Sequence, residues 1–206
     1  MKFDKKKFLY LISPNKINDV RSFLVDLNLV LKSKKVSFFQ LRIKKEKLNK
    51  KLMLAKKICK ICKNHNVKFI INDDPYIASE VNADGCHIGQ SDKDINDVKK
   101  ILKNKIIGVT CHNSMKLAKE AYINGASYIA LGAFFKTKTK KVVHKASINN
   151  LIKIKNSINL PVVAIGGINE KNYKKLLLNK ADFLAISSYI WDNTKLKPYQ
   201  AVERLK

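Results

Sequence analysis

Two aspartates stand where a divalent cation could be held. Asp73 and Asp92 each follow a short apolar run typical of a β-strand, and the two runs are predicted to form neighbouring strands. Two carboxylates, completed by water and by the oxygens of a phosphorylated substrate, form a ligand set that suits Mg²⁺. Aspartate also caps helices and forms turns, because its side chain accepts hydrogen bonds from nearby backbone N–H groups. A metal site and a pair of caps or turns are therefore alternative interpretations of these residues.

Cations and hydroxyl groups occur in the same kind of position. Arg42 stands at the end of an apolar run, and Lys44 follows two residues later. After the sixth run, lysine alternates with threonine over residues 136–140. We expect this loop to be long enough to close over a ligand and exclude water. Because the chain is rich in lysine, an ordinary surface loop is the alternative interpretation. The threonines between the lysines favour a ligand-binding loop.

The glycines point to a phosphate site. Only seven occur in the chain, so each is expected where the backbone needs it. Gly166 and Gly167 leave the seventh apolar run together, where barrels of parallel strands often bind phosphate through backbone N–H groups. Ser187 and Ser188 end the next run and offer hydroxyl groups beside that turn. A simple tight turn is the alternative.

The cysteines and histidines give weaker signals. Cys59 and Cys62 form a C-x-x-C motif in a segment of helical periodicity, while Cys86 and Cys111 stand singly in strand-like runs. We expect buried structural thiols facing the core, rather than metal ligands or disulfides. None of the four histidines has a partner at ligand spacing, so most are expected to be structural.

A regular alternation of strands and helices spaces these groups. Apolar runs rich in β-branched residues predict strands over 8–12, 36–41, 67–71, 84–88, 106–109, 128–131, 162–165 and 183–186. Helical periodicity lies between most of them, over 17–31, 48–62, 98–102, 115–121, 151–158 and 173–178, and only the connection over 73–83 is short.

Eight strands alternating with helices in 206 residues predict an α/β fold, a single (β/α)₈ TIM barrel near its minimum size, as one domain over 1–206. An open doubly wound sheet is the rival, but the G-x-G-x-x-G fingerprint that would support it is missing. In such a barrel the loops after the strands carry the functional groups. The groups described above would therefore meet at one end.

The chain has a net charge of +26, from 42 basic and 16 acidic residues. This charge suits phosphorylated ligands, and nucleic acid is one possible partner. Arginine occurs only at positions 21, 42 and 204, and the lysines are spread over the whole length. We therefore attribute most of the charge to a compositional bias and disfavour nucleic acid as the partner. No apolar run approaches the ~18 residues of a membrane span, and the first residues do not form a signal peptide. A cytoplasmic chain without a membrane partner is expected.

Six segments form a pattern through nearly the whole chain. In order they are Q-L-R-I-K (40–44), N-D (72–73), A-D-G-C-H-I-G-Q-S-D (83–92), G-V-T-C-H (108–112), T-K-T-K (137–140) and P-V-V-A-I-G-G-I (161–168). Together they resemble the thiamine phosphate synthase family, and the third segment is the most specific. The resemblance implies a (β/α)₈ barrel that condenses 4-amino-2-methyl-5-hydroxymethylpyrimidine diphosphate with thiazole phosphate, in a magnesium-assisted dissociative displacement that releases pyrophosphate.

The resemblance also implies a role for each matching position. Asp73 and Asp92 would hold Mg²⁺. The residues implied to bind the pyrimidine diphosphate are Gln40, Leu41, Arg42, Ile43, Lys44, Asn72 and Thr110. Those implied to bind the thiazole phosphate are Thr137, Thr139, Gly166, Gly167, Ser187 and Ser188, and Lys140 would reach the pyrophosphate. The predicted catalytic residues among them are Arg42, Lys44, Thr110 and Lys140. Departure of pyrophosphate needs cations around its oxygens rather than a strong base, which agrees with the absence of an obvious His or Cys dyad.

The chain departs from the family pattern at several positions. Asp74 and Tyr76 replace an arginine and an aspartate, and the loop over 132–145 lacks two prolines and the glycines expected after Lys140. Whether these changes redirect activity, whether the thiazole is carboxylated and whether the chain forms a homo-oligomer are left open.

Two other functions compete with the synthase. A thiazole tautomerase, or another phosphate-ligand barrel, is the alternative among enzymes. In the tautomerase branch a histidine follows the sixth strand, whereas this chain has Ala133 there. A non-catalytic basic barrel that binds RNA or an acidic partner would use the charge. Such a binder would have no reason to keep Asp73 and Asp92 beside bound polyphosphate, because carboxylates repel it without a metal. We expect the synthase.

Overall fold

The computed structural model describes residues 7–137 and 143–206. Eight parallel strands pair in sequence order, and β8 pairs with β1, so the sheet closes into a barrel. Helices connect the successive strands. The predicted (β/α)₈ barrel is confirmed.

The strands are β1 (Leu9–Ile12), β2 (Val36–Leu41), β3 (Lys68–Asn72), β4 (Gly85–Ile88), β5 (Ile106–His112), β6 (Tyr128–Gly132), β7 (Val162–Ile165) and β8 (Phe183–Ile186). The helices are α1 (Val20–Leu31), α2 (Leu48–Asn64), α3 (Pro75–Glu80), α4 (Ile95–Leu102), α5 (Met115–Ile123), α6 (Ile148–Ser157), α7 (Tyr173–Leu178), α8 (Ser188–Trp191) and α9 (Pro198–Glu203). Each predicted strand and helix is present, with ends that shift by up to a few residues.

Three short helices were not predicted: α3, α8 and α9. The short connection after β3 contains α3, because Asp74 caps it by accepting hydrogen bonds from the N–H groups of Tyr76 and Ile77. Pro75 occupies the first turn, where its missing N–H costs nothing. β5 also runs three residues further than predicted, to His112, so Thr110 lies on a strand rather than on a loop.

Two buried layers hold the barrel together. The larger layer lies between the strands and the surrounding helices and contains residues such as Leu11, Phe39 and Leu131. The smaller layer fills the barrel interior with the side chains of alternate strand residues. Phe38 packs edge-on against Phe183, which begins β8, with ring centroids 5.1 Å apart. These rings fill the end at which the strands begin, and the opposite end stays open.

Three of the four cysteines are buried, as expected: Cys62, Cys86 and Cys111. The expectation is wrong for Cys59, which is only half-buried. The reason is that α2 packs on the barrel through Leu54, Ala55, Ile58 and Cys62, and Cys59 lies beside that stripe. Across the described ranges, no helix combines the length and the apolar character needed to cross a membrane.

Candidate active site

The C-terminal ends of the strands surround a cavity of about 570 Å³, a volume typical of small-molecule sites. Within the described ranges, all but two of the predicted site residues line it. They are Gln40, Arg42, Lys44, Asn72, Asp73, Asp92, Thr110, Thr137, Gly166, Gly167, Ser187 and Ser188. The predicted residues Thr139 and Lys140 lie outside the described residues.

Leu41 and Ile43 are the two exceptions. Both are buried in the layer between the strands and the helices. Successive side chains of an extended chain point to opposite faces, so Gln40 and Arg42 face the cavity while Leu41 and Ile43 face the helices. Their side chains therefore support the strand from outside rather than contact a ligand.

Asp73 and Asp92 meet at one side of the cavity. Asp73 adopts a left-handed backbone with φ 63°, and its N–H donates to the carbonyl of His87. Asp92 accepts a hydrogen bond of 2.7 Å from the N–H of Gly89. Burial, followed by a hydrogen bond with the Asp73 side chain, raises the pKa of Asp92. The two carboxyl groups are thus directed at each other, and Lys44 Nζ lies 2.7 Å from Asp73 Oδ2.

Neither aspartate caps a helix. Asp74 caps α3, and Asp94 caps α4 by accepting from the N–H of Asn96. Asp92 contributes to its own turn through the hydrogen bond from Gly89, so the turn interpretation holds in part for this residue. In the described part of the chain, no group of three or more His, Cys, Asp or Glu residues is placed to bind a metal. Two carboxylates alone suit an ion that completes its shell with water and phosphate, as Mg²⁺ does.

Arg42 lines the same cavity and is held in place by the segment that follows β1. Its Nη1 donates to Asn15 Oδ1 at 2.7 Å, and its backbone N–H donates to Ser13 Oγ at 2.9 Å. Two cations, Arg42 and Lys44, therefore line the cavity, and Lys44 pairs with the acidic group. We call Arg42, Lys44, Asp73 and Asp92 the charged wall.

The opposite side of the barrel is built differently. We call Gly166, Gly167, Ser187 and Ser188 the glycine wall. Both glycines have positive φ, 105° and 64°, which side-chain-bearing residues rarely adopt. A Cβ on Gly166 would lie 2.4 Å from the Cβ of Ala133, and one on Gly167 would lie 2.3 Å from the carbonyl oxygen of Lys136. Only glycine therefore fits beneath the loop that follows β6.

The hydroxyl of Ser187 is already engaged in this wall. It donates to the carbonyl of Ser13 at 3.1 Å, so the proton that was expected to serve a phosphate is directed at the backbone. The glycine wall thus offers a ligand mainly backbone groups and Ser188.

A row of polar groups crosses the cavity floor and consists of Gln40, Tyr10, Tyr128, His87 and Thr110, all of which line the cavity. The sequence predicted Gln40 and Thr110, and it missed the three buried residues between them, Tyr10, Tyr128 and His87. Burial lowers the pKa of His87 to about 4, so its imidazole is neutral at pH 7. Burial also raises the pKa values of Tyr10 and Tyr128. Tyr10 and Tyr128 fall in the inward phase of their strands, and that alternation was the available signal.

Two further histidines meet at the cavity. The rings of His112 and His144 lie 4.5 Å apart between centroids, although 32 positions separate them in the sequence. The carbonyl of His144 accepts a hydrogen bond from the N–H of Ala133. Three of the four histidines, His87, His112 and His144, therefore line the cavity, and the expectation that most histidines are structural stays a prediction.

Comparison with known proteins identifies the family of the chain. Residues 9–190 match the family model described as thiamine monophosphate synthase. A thiamine-phosphate synthase from Pelagibacter ubique is 63% identical over 201 residues, which cover 98% of this chain and 97% of the relative. One from Clostridium acetobutylicum is 39% identical over 92% of this chain and 89% of its own.

A solved structure gives the same result for the fold. The thiamine phosphate pyrophosphorylase from Pyrococcus furiosus superposes with a TM-score of 0.86 at 28% identity, covering 98% of this chain and 94% of the other. Since the family model spans most of the chain and the relatives match over nearly their whole length, the chain belongs to the thiamine monophosphate synthase family.

Proposed function

We propose that the cavity condenses an aminopyrimidine diphosphate with a thiazole phosphate, with Mg²⁺ held by Asp73 and Asp92. As a member of its family the chain forms thiamine phosphate and is a transferase. The assignment of residues and metal to that reaction is our proposal. One observation carries it: two adjoining carboxylates and two cations lie across the barrel from a turn that only glycine can form.

The acidic pair fits a divalent cation. Burial, followed by the neighbouring Asp73 side chain, raises the pKa of Asp92, because both disfavour its charged form. A divalent ion between the carboxyl groups would remove the repulsion, while Lys44 offsets only part of it. Asp73 and Asp92 would hold Mg²⁺, which when bound neutralises charge on the diphosphate.

The charged wall then binds the leaving group. Arg42 and Lys44 place fixed positive charge beside the diphosphate, and the Thr110 hydroxyl lies on the adjoining strand end. The C–O bond to the diphosphate breaks with its electron pair going to the oxygen, and the aminopyrimidine ring supports the cation left on carbon. Fixed cations favour this step because they stabilise charge where it develops.

The glycine wall holds the second substrate. Backbone groups at Gly166 and Gly167, with Ser188, would bind the phosphate of the thiazole. Apolar side chains between the walls, including Ile12, Val163 and Ile165, give the rings a dry surface. The thiazole nitrogen can then supply its lone pair to the carbon and form the C–N bond. No proton transfer is needed at that point, so binding and orientation are the main contributions.

One observation favours thiazole tautomerisation as a second candidate. His144 lines the cavity and its backbone pairs with Ala133, the position at which the tautomerase branch has a histidine. A histidine therefore reaches this region from a different part of the loop. Incubating the thiazole alone and following its isomerisation would test this function separately.

The direct test of the main proposal is to mix the protein with both phosphorylated heterocycles. We expect thiamine phosphate and pyrophosphate in equal amounts with Mg²⁺, and loss of both when the metal is chelated. Product formed at the same rate under chelation would contradict the role of the metal. A product mixture without thiamine phosphate would contradict the proposed substrates.

A further inference from the structure

Four buried side chains and the half-buried Thr110 form a continuous hydrogen-bonded row across the cavity floor. Gln40 Nε2 lies 3.0 Å from Tyr10 Oη, which lies 2.7 Å from Tyr128 Oη. Tyr128 Oη lies 3.0 Å from His87 Nδ1, and His87 Nε2 lies 2.8 Å from Thr110 Oγ1. These residues come from β2, β1, β6, β4 and β5, so the row joins five strands. Its two ends, Gln40 and Thr110, both reach the cavity.

The row can carry its protons in only two self-consistent ways. Each hydroxyl donates one hydrogen, and a neutral imidazole has one donor and one acceptor nitrogen. The amide nitrogen of Gln40 only donates, so Tyr10 accepts there and donates to Tyr128. Tyr128 then donates to His87 Nδ1, which places the imidazole proton on Nε2, facing Thr110. Turning the Gln40 amide over would reverse every bond.

The direction decides what each end offers a ligand. In the direction given by the Gln40 amide, Thr110 accepts from His87 and its own hydrogen is left for the cavity. At the other end, Gln40 Oε1 is buried and has no hydrogen-bond partner among the described residues. The row therefore presents an acceptor at Gln40 and a donor at Thr110. An unpaired buried acceptor costs stability, so a ligand that donates to it gains affinity.

Packing fixes the geometry of the row. A Cβ on Gly108 would lie 1.9 Å from Tyr128 Cζ, so glycine at this position makes room for the ring. The Tyr128 ring stacks on His87, with centroids 5.7 Å apart and planes 17° from parallel. Tyr10 stacks on Phe38 at 5.2 Å. The rings thus have little freedom to turn their polar atoms away.

We propose that Tyr10, Tyr128 and His87 are positioning residues that form a one-way hydrogen-bond chain between the two ends of one substrate. The chain selects a ligand that donates a hydrogen bond at Gln40 and presents an anionic oxygen at Thr110. This inference rests on the proposed function, because an aminopyrimidine diphosphate has an amino group and phosphate oxygens. A ligand with the opposite polarity would require all four bonds to reverse.

The protonation of His87 tests the direction without any substrate. In the ¹⁵N-labelled protein, the spectrum of the histidine rings distinguishes a protonated Nε2 from a protonated Nδ1. His87→Gln identifies the resonances among the four histidines. We expect the proton on Nε2 and an Nδ1 that accepts a hydrogen bond, and we expect Tyr128→Phe to shift Nδ1 toward the position of a free acceptor. A proton on Nδ1 would overturn the proposal.

Kinetics test the positioning role. Tyr128→Phe and Tyr10→Phe each remove one buried hydroxyl, and Tyr173→Phe is the matched control because Tyr173 is also buried and donates to the Lys206 carbonyl, away from the cavity. We expect Tyr128→Phe to lower kcat/KM for the pyrimidine diphosphate about tenfold, which is the effect of one hydrogen bond. The KM for the thiazole phosphate and the rate with Tyr173→Phe should stay within about twofold of the wild type.

The double variant Tyr10→Phe/Tyr128→Phe should lose little more than either single variant, because both break the same chain. Fully additive losses, or losses equal to that of Tyr173→Phe, would overturn the positioning role. If the wild-type protein makes no thiamine phosphate, the proposed function fails, and the His87 spectrum still decides the direction of the chain.

Discussion

The two sides of the cavity that we propose bind phosphate groups are built by different means. The charged wall uses side chains, with Lys44 Nζ 2.7 Å from Asp73 Oδ2 and Asp92 beside them. The glycine wall uses backbone, since Gly166 and Gly167 have no side chain and Ser187 directs its hydroxyl at Ser13. Charge develops on the leaving diphosphate but not on the phosphate of the thiazole. The comparison therefore suggests that ionised side chains are placed where charge changes, and backbone where it does not.

The difference also has a cost in stability. The charged wall brings two carboxyl groups together and raises the pKa of Asp92, so the folded protein carries a repulsion at neutral pH. The glycine wall holds two residues in left-handed conformations that glycine adopts without strain. We therefore expect changes in the charged wall to alter activity more than stability, and changes in the glycine wall to do the reverse.

The largest expected effect is that of Asp92→Asn. The amide keeps an oxygen that can accept from Gly89 but removes the charge that would hold the metal. We expect kcat to fall about a thousandfold, as for the loss of a major electrostatic contribution in an active site. The unfolding free energy should not fall, because the repulsion with Asp73 is removed.

Asp94→Asn is the matched control for this variant. It makes the same chemical change at an aspartate that caps α4, and asparagine caps helices as well as aspartate does. Its activity should stay within about twofold of the wild type. Equal losses in the two variants would remove Asp92 from the metal site.

The second effect is the pH dependence of stability that His87, on the cavity floor, is expected to cause. The pKa of His87 is lowered to about 4 from an ordinary 6.5, because burial disfavours its charged form. Below pH 6.5 the histidine is protonated in the unfolded chain but stays neutral in the folded protein. The contribution of His87 to the unfolding free energy is therefore fully present above pH 6.5 and is lost progressively toward pH 4. The loss should approach about 3 kcal/mol.

Denaturant unfolding at several pH values measures this dependence. His87→Gln should flatten the part of the stability profile between pH 6.5 and 4, while His65→Gln should leave it. His65 is a suitable control because its ring pairs with Asn28 on the outside of the barrel. An unchanged profile in His87→Gln would show that this histidine is not held neutral by burial.

The third effect is that of Gly167→Ala in the glycine wall. Its Cβ would lie 2.3 Å from the carbonyl of Lys136, and φ is 64°. We expect a loss of about 2 kcal/mol in unfolding free energy, through strain and displacement of the loop. Gly125→Ala has a similar positive φ of 80° but meets only the end of the Lys99 side chain, at 3.1 Å. Gly125→Ala should therefore lower the unfolding free energy by less than Gly167→Ala does. Equal losses in the two variants would show that the contact with the loop is unimportant.

The fourth effect separates Lys44 from the general positive charge. Lys44→Ala removes the cation beside Asp73 and should lower kcat/KM about tenfold, as for one charged hydrogen bond. Lys45→Ala removes a neighbouring exposed lysine that does not line the cavity. Steady-state kinetics with both variants should show the loss only in the first. The same loss in both would mean that net charge alone attracts the substrate.

Much of this arrangement follows from the sequence for physical reasons. Strand ends of a parallel barrel all face one way, so residues that follow apolar runs, such as Asp73 and Gly166, had to converge. Alternation along β2 could also have placed Leu41 and Ile43 on the outer face, since Gln40 and Arg42 face inward. The helix α3 was harder to predict, because six residues carry little periodicity and its cap depends on Asp74 alone.

The contacts between residues on the floor of the cavity could not be predicted from local patterns. Gln40, Tyr10, Tyr128, His87 and Thr110 come from five strands, and their contacts depend on how the barrel closes. The same applies to His112 and His144, whose rings meet across the sequence. Periodicity shows which face a residue occupies, whereas it does not show the depth at which two inward residues meet.

The smallest expected effect is that of Ser187→Ala, and it tests the comparison most sharply. The Ser187 hydroxyl donates to the Ser13 carbonyl, so its loss should cost about 1 kcal/mol of stability. Because the glycine wall would hold phosphate through its backbone, the KM for the thiazole phosphate should change by less than about threefold. Ser188→Ala is the variant to compare with Ser187→Ala, since Ser188 also lines the cavity. A large rise in KM with Ser187→Ala would mean that the hydroxyl turns toward the phosphate when the ligand binds. In that case side chains, and not backbone alone, would recognise phosphate on both sides of the barrel.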